Sequence, residues 1–420
     1  MPDRSAQTLP ASPFVRLRAL LDSHSPARPA LSLALGEPRH APPEFVLNAL
    51  AADSDGYANY PPIQGLPQWR DAAMGWLSRR FGISAELLGA PSQILPLNGT
   101  REGLFLAAQI VPPKTDGVIA MPNPFYQVYA SAARAAGATP IYLDSPQESG
   151  FLPDLDALDA DTLGRLRALY LCSPANPQGA IADMAYLEKA YQLACQHDFL
   201  LLIDECYSEI YDTRHAPPPS ILQVMAAHAD DDAPVLVFHS LSKRSNLPGL
   251  RSGFCAGGRS AMKAYFGVRS VAGPQSPTPV QRAAALAWGD DAHVAENRAL
   301  YQAKFDAADE IFADWPGYQR PAGGFFLWLP VVGGGEAASL RLWCELGIRV
   351  LPGAYLTQPS ADGGNIGDDY IRIALVGDLA ETQTALAEIA ACLAPSEAAY
   401  HDAQNDAAQN DAAETKEGVA

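Results

Sequence analysis

Lys243 lies in the stretch FHSLSKRSNLPGLRSGF, residues 238–254, between Ser240 and Ser242 on one side and Arg244 on the other, with Arg251 eight positions beyond it. A lone lysine behind a strand can simply be solvated. A lysine held in a partly dry, cation-rich pocket falls below its usual pKa of about 10.4, and its free amine can then form a Schiff base. Asp204 closes the run FLLLID after five apolar residues. Desolvating a carboxylate there is costly unless a cation meets it, although a helix cap or a buried salt bridge would also satisfy it. Tyr207, three positions on, brings a phenol to the same strand end. Asn176, in SPANPQG, adds an amide just past another apolar run. NGTREG, residues 98–103, opens a helix. The free N–H groups of a helix start favour a phosphate, and an ordinary capped helix explains the spelling as well.

One cofactor uses all of these groups together. Pyridoxal 5′-phosphate needs a lysine for its aldehyde, a carboxylate for its ring nitrogen, donors for its phenolate oxygen and an anion cup for its phosphate. The carboxylate keeps the pyridine nitrogen protonated, which makes the ring an electron sink.

These residues need strands to carry them to one place. Apolar runs recur at 93–98, 117–122, 138–144, 168–174, 199–204, 235–240 and 252–258. Most are continuous rather than alternating, the pattern of strands buried on both faces by crossover helices in a mostly parallel sheet. Ligands of such sheets bind beyond the carboxyl ends of the strands, where Asn176, Asp204, Ser240 and Lys243 fall. After about residue 280 the texture changes. A long helical stretch from PTPVQRAAALAWG to IFADW leads into GGFFLWLPV and DYIRIALVG, which predicts a separate α+β lobe. VVGGGEAAS reads as a flexible turn, since no GK[ST] follows its glycines. The expected division is an N-terminal arm and part of the small domain over 1–45, a large cofactor domain over 46–285, a small domain over 286–395 and an acidic low-complexity tail over 396–420, where QNDAA occurs twice.

The chain has 420 residues, enough for a large domain and a smaller one. Its net charge of −18 argues against nucleic acid and against anionic membranes as partners, and requires any anion site to be locally positive. No apolar run approaches the roughly 18 residues of a membrane helix, and the first residues have no signal-peptide core. The six cysteines are scattered, with no CxxC pair and no metal spacing, and read as reduced core thiols of a cytoplasmic protein with no metal site.

S-x-S-K with an arginine eight positions past the lysine, preceded in order by N-P-x-G and D-E-x-Y, resembles the class I/II aminotransferases of fold type I. The resemblance covers roughly residues 12–395. It implies a mostly parallel seven-stranded sheet in a large domain, a small α+β domain, pyridoxal 5′-phosphate as cofactor, and glutamate with 2-oxoglutarate as one substrate pair. Lys243 matches the lysine that forms the imine and shuttles the proton. Asp204 matches the partner of the ring nitrogen, and Asn176 and Tyr207 match the donors to the phenolate oxygen. Ser240, Ser242 and Arg251, with Gly99, Thr100 and Arg101, match the phosphate ligands. Tyr126 matches the ring that stacks on the cofactor. Tyr60, in YANYPPIQG, matches a tyrosine that reaches the neighbouring subunit's phosphate, which implies a homodimer with shared sites. Arg372 matches the arginine that pairs with the substrate α-carboxylate, and Gly36 a backbone contact to the same group. Arg101 departs from the small or amide residue many relatives carry there.

SLSKRSNLPGLRSGF, LPLNGTREGLF and AWGDDAHVAENRALYQAKFD resemble more narrowly the proteobacterial succinyldiaminopimelate transaminases of lysine biosynthesis. On that resemblance Arg101 and Arg244 are the candidates for a positive distal pocket. Aminotransferases for aspartate, N-acetylornithine or LL-diaminopimelate, and a C–S lyase or decarboxylase, are the alternatives, since fold does not fix reaction. A non-enzymatic regulator on this fold would be expected to carry a basic DNA-binding extension.

Overall fold

The computed structural model describes residues 12–112, 114–360 and 363–394. Twelve strands form among them: β1 (Leu31–Ser32), β2 (Ile94–Leu97), β3 (Val118–Asn123), β4 (Thr139–Asp144), β5 (Leu166–Cys172), β6 (Leu200–Asp204), β7 (Val235–Ser240), β8 (Gly253–Gly257), β9 (Phe326–Pro330), β10 (Ile348–Arg349), β11 (Leu351–Pro352) and β12 (Tyr370–Ala374). Seven of them make one sheet in the order β2-β8-β7-β6-β5-β3-β4. β3 to β7 pair in parallel, and β8 runs antiparallel to both β7 and β2. Every residue of β3, β6, β7 and β8 is buried. That is why these strands read as continuous apolar runs; only the edge strand β4 is partly exposed along its length.

Two apolar layers cover the sheet. One contains Trp69, Trp76, Leu187, Leu222 and Trp288. The other contains Leu104, Tyr129, Met262 and Tyr265. The register sets Cys172 of β5 beside Asp204 of β6, and Asp204 beside Phe238 of β7. Three carboxyl ends are thereby brought level, and the loops that follow them meet.

A second, antiparallel sheet runs β11-β12-β9, and β1 pairs in parallel with β10. Helices Ala292–Ile311, Gly335–Leu346 and Leu379–Leu393 contribute Phe305, Leu342 and Leu386 to the core against this sheet. The start of the chain belongs to this body. The N–H of Leu33 donates to the Arg349 carbonyl, and the N–H of Ala374 donates to that of Leu33.

Three expectations need correction. The long helical stretch is two helices, Thr278–Gly289 and Ala292–Ile311. Asp290 is extended between them, and its carboxylate accepts from the N–H of His293 in the first turn of the second helix. The stretch VVGGGEAAS is a turn only as far as Gly334; Gly333 and Gly334 take φ of 82° and 93°, and a helix starts at Gly335. Cys195 is exposed on its helix rather than in the core. The acidic tail over 396–420 lies outside the described residues. Among the described residues no helix is long and apolar enough to cross a membrane, and no cluster of three or more His, Cys, Asp or Glu side chains could hold a metal.

Candidate active site

Asp204 ends β6 in a buried position. Its Oδ2 accepts from the Tyr129 hydroxyl at 3.0 Å and its Oδ1 from the Cys206 N–H at 3.2 Å. Both donors are neutral, and no cationic side chain among the described residues comes within ion-pair distance. Burial therefore raises its pKa. A carboxylate left in this state suits a cationic ring nitrogen. Tyr129 is fixed by stacking on Tyr170 of β5, with ring centroids 4.5 Å apart.

Lys243 follows β7 on the one-turn helix Leu241–Arg244. Its Nζ donates to the Gly36 carbonyl at 2.5 Å and lies 5.1 Å from the Phe325 ring centre and 5.9 Å from that of Tyr207. Desolvation lowers its pKa to about 8, which brings the neutral, nucleophilic amine within reach near neutral pH. Tyr207 is itself buried, edge-on to Phe325.

Arg372 enters from β12. Its Nη1 donates to Asn176 Oδ1 at 3.1 Å and its Nη2 to the Ala34 carbonyl at 2.8 Å. The guanidinium lies 4.3 Å from the Phe326 ring centre, and burial lowers its pKa to about 10. Its Nε is buried without a partner among the described residues. Arg372 is thus held ready for an anion. With Asn176 Oδ1 taken, that side chain has its amide nitrogen left to donate.

The helix Thr100–Ala107 starts where β2 ends. Gly99 caps it at φ 84°, and a Cβ there would lie 1.9 Å from Arg251 Nη2. Only glycine lets the guanidinium close over the helix start. Arg251 is braced by bonds to the carbonyls of Pro248 at 2.8 Å and Asn98 at 3.3 Å. Ser240 Oγ accepts from the Ser242 N–H at 3.1 Å, and Thr100 Oγ1 accepts from the Cys206 thiol at 3.1 Å. Helix-start amides, hydroxyls and an arginine around a space that a Cβ would fill are a donor set that fits a phosphate.

One cleft of about 670 Å³, open to solvent, is lined by Gly36, Thr100, Arg101, Tyr126, Asn176, Asp204, Tyr207, Ser240, Ser242, Lys243, Arg251 and Arg372. Gly99 caps the helix at its edge. Tyr60 stands apart, with 97% of its surface exposed in the single chain. Arg101 is exposed, and its Nε donates to the Tyr126 hydroxyl at 2.6 Å. Arg244 is a correction: it turns away from the cleft and is 2% exposed. It donates to the Ala287 and Asp290 carbonyls and stacks on Trp288, so it closes a helix end rather than meeting substrate. Tyr129 and Cys206 line the cleft and were missed. Tyr129 stands on the helix Gln127–Ala135, three residues after Tyr126, the extended residue that precedes that helix.

Residues 28–389 match the model of the family "Aminotransferase class I and II", and the chain belongs to that family. It is 34% identical over 349 residues to the 4-dedimethylamino-4-oxo-anhydrotetracycline transaminase of Streptomyces rimosus, covering 82% of this chain and 88% of that one. It is 30% identical to an LL-diaminopimelate aminotransferase of Dehalococcoides mccartyi, covering 91% and 97%. The crystal structure of an aminotransferase from Neisseria meningitidis superposes with a TM-score of 0.86 at 36% identity, covering 92% and 99%. The protein is therefore a pyridoxal phosphate-dependent aminotransferase of fold type I, acting on an amino acid and a 2-oxo acid.

Proposed function

We propose that the protein transfers an amino group between N-succinyl-LL-2,6-diaminopimelate and 2-oxoglutarate, giving N-succinyl-2-amino-6-oxopimelate and glutamate, a step of lysine biosynthesis. The observation that carries this reading is a roomy cleft whose lining holds, besides Lys243 and the phosphate arginine Arg251, two further arginines. Arg372 is buried and preset, and Arg101 is exposed with no carboxylate in ion-pair distance among the described residues. Arg372 suits the α-carboxylate shared by every substrate, with the backbone of Gly36 beside it. Arg101 suits a distal carboxylate, present on the succinylated compound and on glutamate.

Bound pyridoxal phosphate supplies an aldehyde and a ring that accepts electrons. Lys243 would supply the amine for the aldehyde, and its Nζ would be the group that takes up and returns the proton moved during the transfer. Asp204 holds the proton of the ring nitrogen. Tyr207 and the amide nitrogen of Asn176 donate to the phenolate oxygen, and Tyr126 covers the ring. The backbone N–H groups of Gly99, Thr100 and Arg101 would hold the phosphate together with Ser240, Ser242 and Arg251, which leaves the Arg101 guanidinium for the distal carboxylate. Tyr60 completes the phosphate site of a second copy, which makes the working form a homodimer with shared sites. We assign a cytoplasmic location, a small body made of part of the opening segment and the residues after about 290, and a large body between them; a limit at 285 would cut the helix Thr278–Gly289, whose Trp288 packs on the seven-stranded sheet.

The test compares kcat/KM for N-succinyl-LL-2,6-diaminopimelate, LL-diaminopimelate, N-acetylornithine and aspartate at fixed 2-oxoglutarate. Leaving a charged distal group unpaired costs roughly 10²-fold, so the succinylated compound leads by about that factor. A second reading, LL-diaminopimelate itself as substrate, is favoured by the relative from Dehalococcoides mccartyi, and parity or better for that compound would establish it. If aspartate or N-acetylornithine leads, the diaminopimelate assignment is wrong. Glutamate alone separates a C–S lyase: an aminotransferase converts the cofactor to its amino form with glutamate, whereas a lyase acts on a substrate with a C–S bond and leaves no amino form behind.

A further inference from the structure

A buried polar chain runs from the small body to Lys243 and has no part in the chemistry described so far. The helix Ala292–Ile311 presents Asn297, Tyr301 and Lys304 at intervals of four and three residues, one face of the helix. Lys304 is 1% exposed, and no carboxylate lies within ion-pair distance of it among the described residues. Its Nζ bonds the Leu375 carbonyl at 3.0 Å and His40 Nε2 at 2.7 Å. His40 Nδ1 bonds Asn297 Oδ1 at 2.9 Å, and Asn297 Nδ2 donates to the carbonyl of Lys243 at 3.3 Å.

The directions of these bonds are mutually consistent. An ammonium can only donate, so His40 Nε2 accepts and its proton sits on Nδ1. Nδ1–H donates to Asn297 Oδ1, which also accepts from Asn246 Nδ2 at 3.0 Å and leaves the amide nitrogen of Asn297 to hold Lys243. Burial keeps His40 neutral, which suits this tautomer. A second path lies alongside. The His40 ring packs on Tyr301 at 4.7 Å, Tyr301 stacks on Phe325 at 5.4 Å, and Phe325 lies under Lys243 Nζ. His40 is also four residues from Gly36, whose carbonyl receives that same Nζ. Backbone and amine of Lys243 are thus both referred to one segment.

We infer that His40, Asn297 and Lys304 form a positioning chain that fixes Lys243 against the segment carrying Gly36, setting where its amine stands when the small body is docked. This rests on the role proposed for Lys243. The three residues touch no reacting atom. Their effect is on placement, and a misplacement of about 1 Å can cost on the order of 10²-fold in rate.

The experiment uses cofactor-loaded protein carrying His40→Phe, which keeps a ring on Tyr301 but breaks both bonds, and His40→Gln, which can accept from Lys304 and donate to Asn297. Asn297→Leu breaks the next link and serves if His40→Phe does not fold. Each variant is read by the pH titration of the cofactor's visible absorbance, by kcat and glutamate KM, and by borohydride reduction with peptide mapping. His40→Phe or Asn297→Leu is expected to lower kcat by about 10- to 100-fold with KM within about threefold, and to move the absorbance midpoint by about half a pH unit or more. His40→Gln is expected to restore both. Label on Lys243 with kcat and midpoint unchanged in His40→Phe and Asn297→Leu overturns the positioning chain alone. Label on another lysine overturns the reading of Lys243 and the chain with it.

Discussion

At the scale of single residues, Asp204 and Lys243 are both held out of water in opposite senses. Asp204 has neutral donors and, among the described residues, no cation in contact, so its charge is tolerated only when a cation arrives. Asp204→Asn keeps the shape and the Tyr129 contact but cannot hold a ring proton. We expect cofactor still to bind and single turnovers with glutamate to slow by on the order of 10²-fold or more. A loss under about tenfold would make Asp204 structural. Lys243 carries a depressed pKa of about 8 against 10.5 for the exposed group. The unfolded chain therefore binds more protons between those values, and stability rises as pH climbs through that window and is lost as it falls through about 8. In cofactor-free protein Lys243→Met should be more stable than the parent by about 1–3 kcal/mol at pH 7. That advantage should shrink steadily between pH 8 and 10.5. A stability difference that does not change with pH across that range would show that the amine is hydrated in the folded chain. Residue types and spacing made these two legible. The direction of a side chain is not written in spacing, and Arg244, a distal-pocket candidate by its place beside Lys243, points the other way.

At the scale of elements, the seven sheet strands were readable because both faces are covered, and burial on both faces forces an unbroken apolar spelling. Where burial is partial the spelling fails. β1, β10 and β11 have two residues each, too few for any periodicity. The break at Asp290 is spelled by Gly289-Asp290-Asp291, a glycine stop and two carboxylates, but Ala-rich sequence on both sides carries the helical pattern across it. Tyr129 escaped because its partner Asp204 is 75 residues away, a distance no local pattern spans. Arg244 shows what the break requires. Its guanidinium satisfies carbonyls that the helix Thr278–Gly289 leaves open at its end, between Trp76 and Trp288. Arg244→Met should cost about 2–4 kcal/mol in denaturant unfolding, with glutamate kcat/KM changed less than about threefold in the folded enzyme. Unchanged stability with a KM raised more than about tenfold would return Arg244 to the substrate pocket.

At the scale of the whole molecule, the cleft takes its groups from both bodies, and the role proposed for Tyr60 would add a third contributor, a second copy of the chain. Mixing Lys243→Ala chains with Tyr60→Ala chains should regenerate activity, because one of the two sites in the mixed dimer would then carry neither defect. Proven subunit exchange with activity no higher than the sum of the parents would exclude a shared site. The pairing of β1 with β10 reaches further, into how the chain is made. Leu31 takes its place beside Ile348, so the small body is built from the first and last parts of the polypeptide. On the ribosome the opening segment, with Gly36 and His40, must wait unpaired while the whole large body is synthesised and folded. The cleft then closes over Lys243 only as the C-terminal strands emerge. A nascent chain stalled before Ile348 should therefore have a protease-resistant large sheet and a protease-sensitive opening segment.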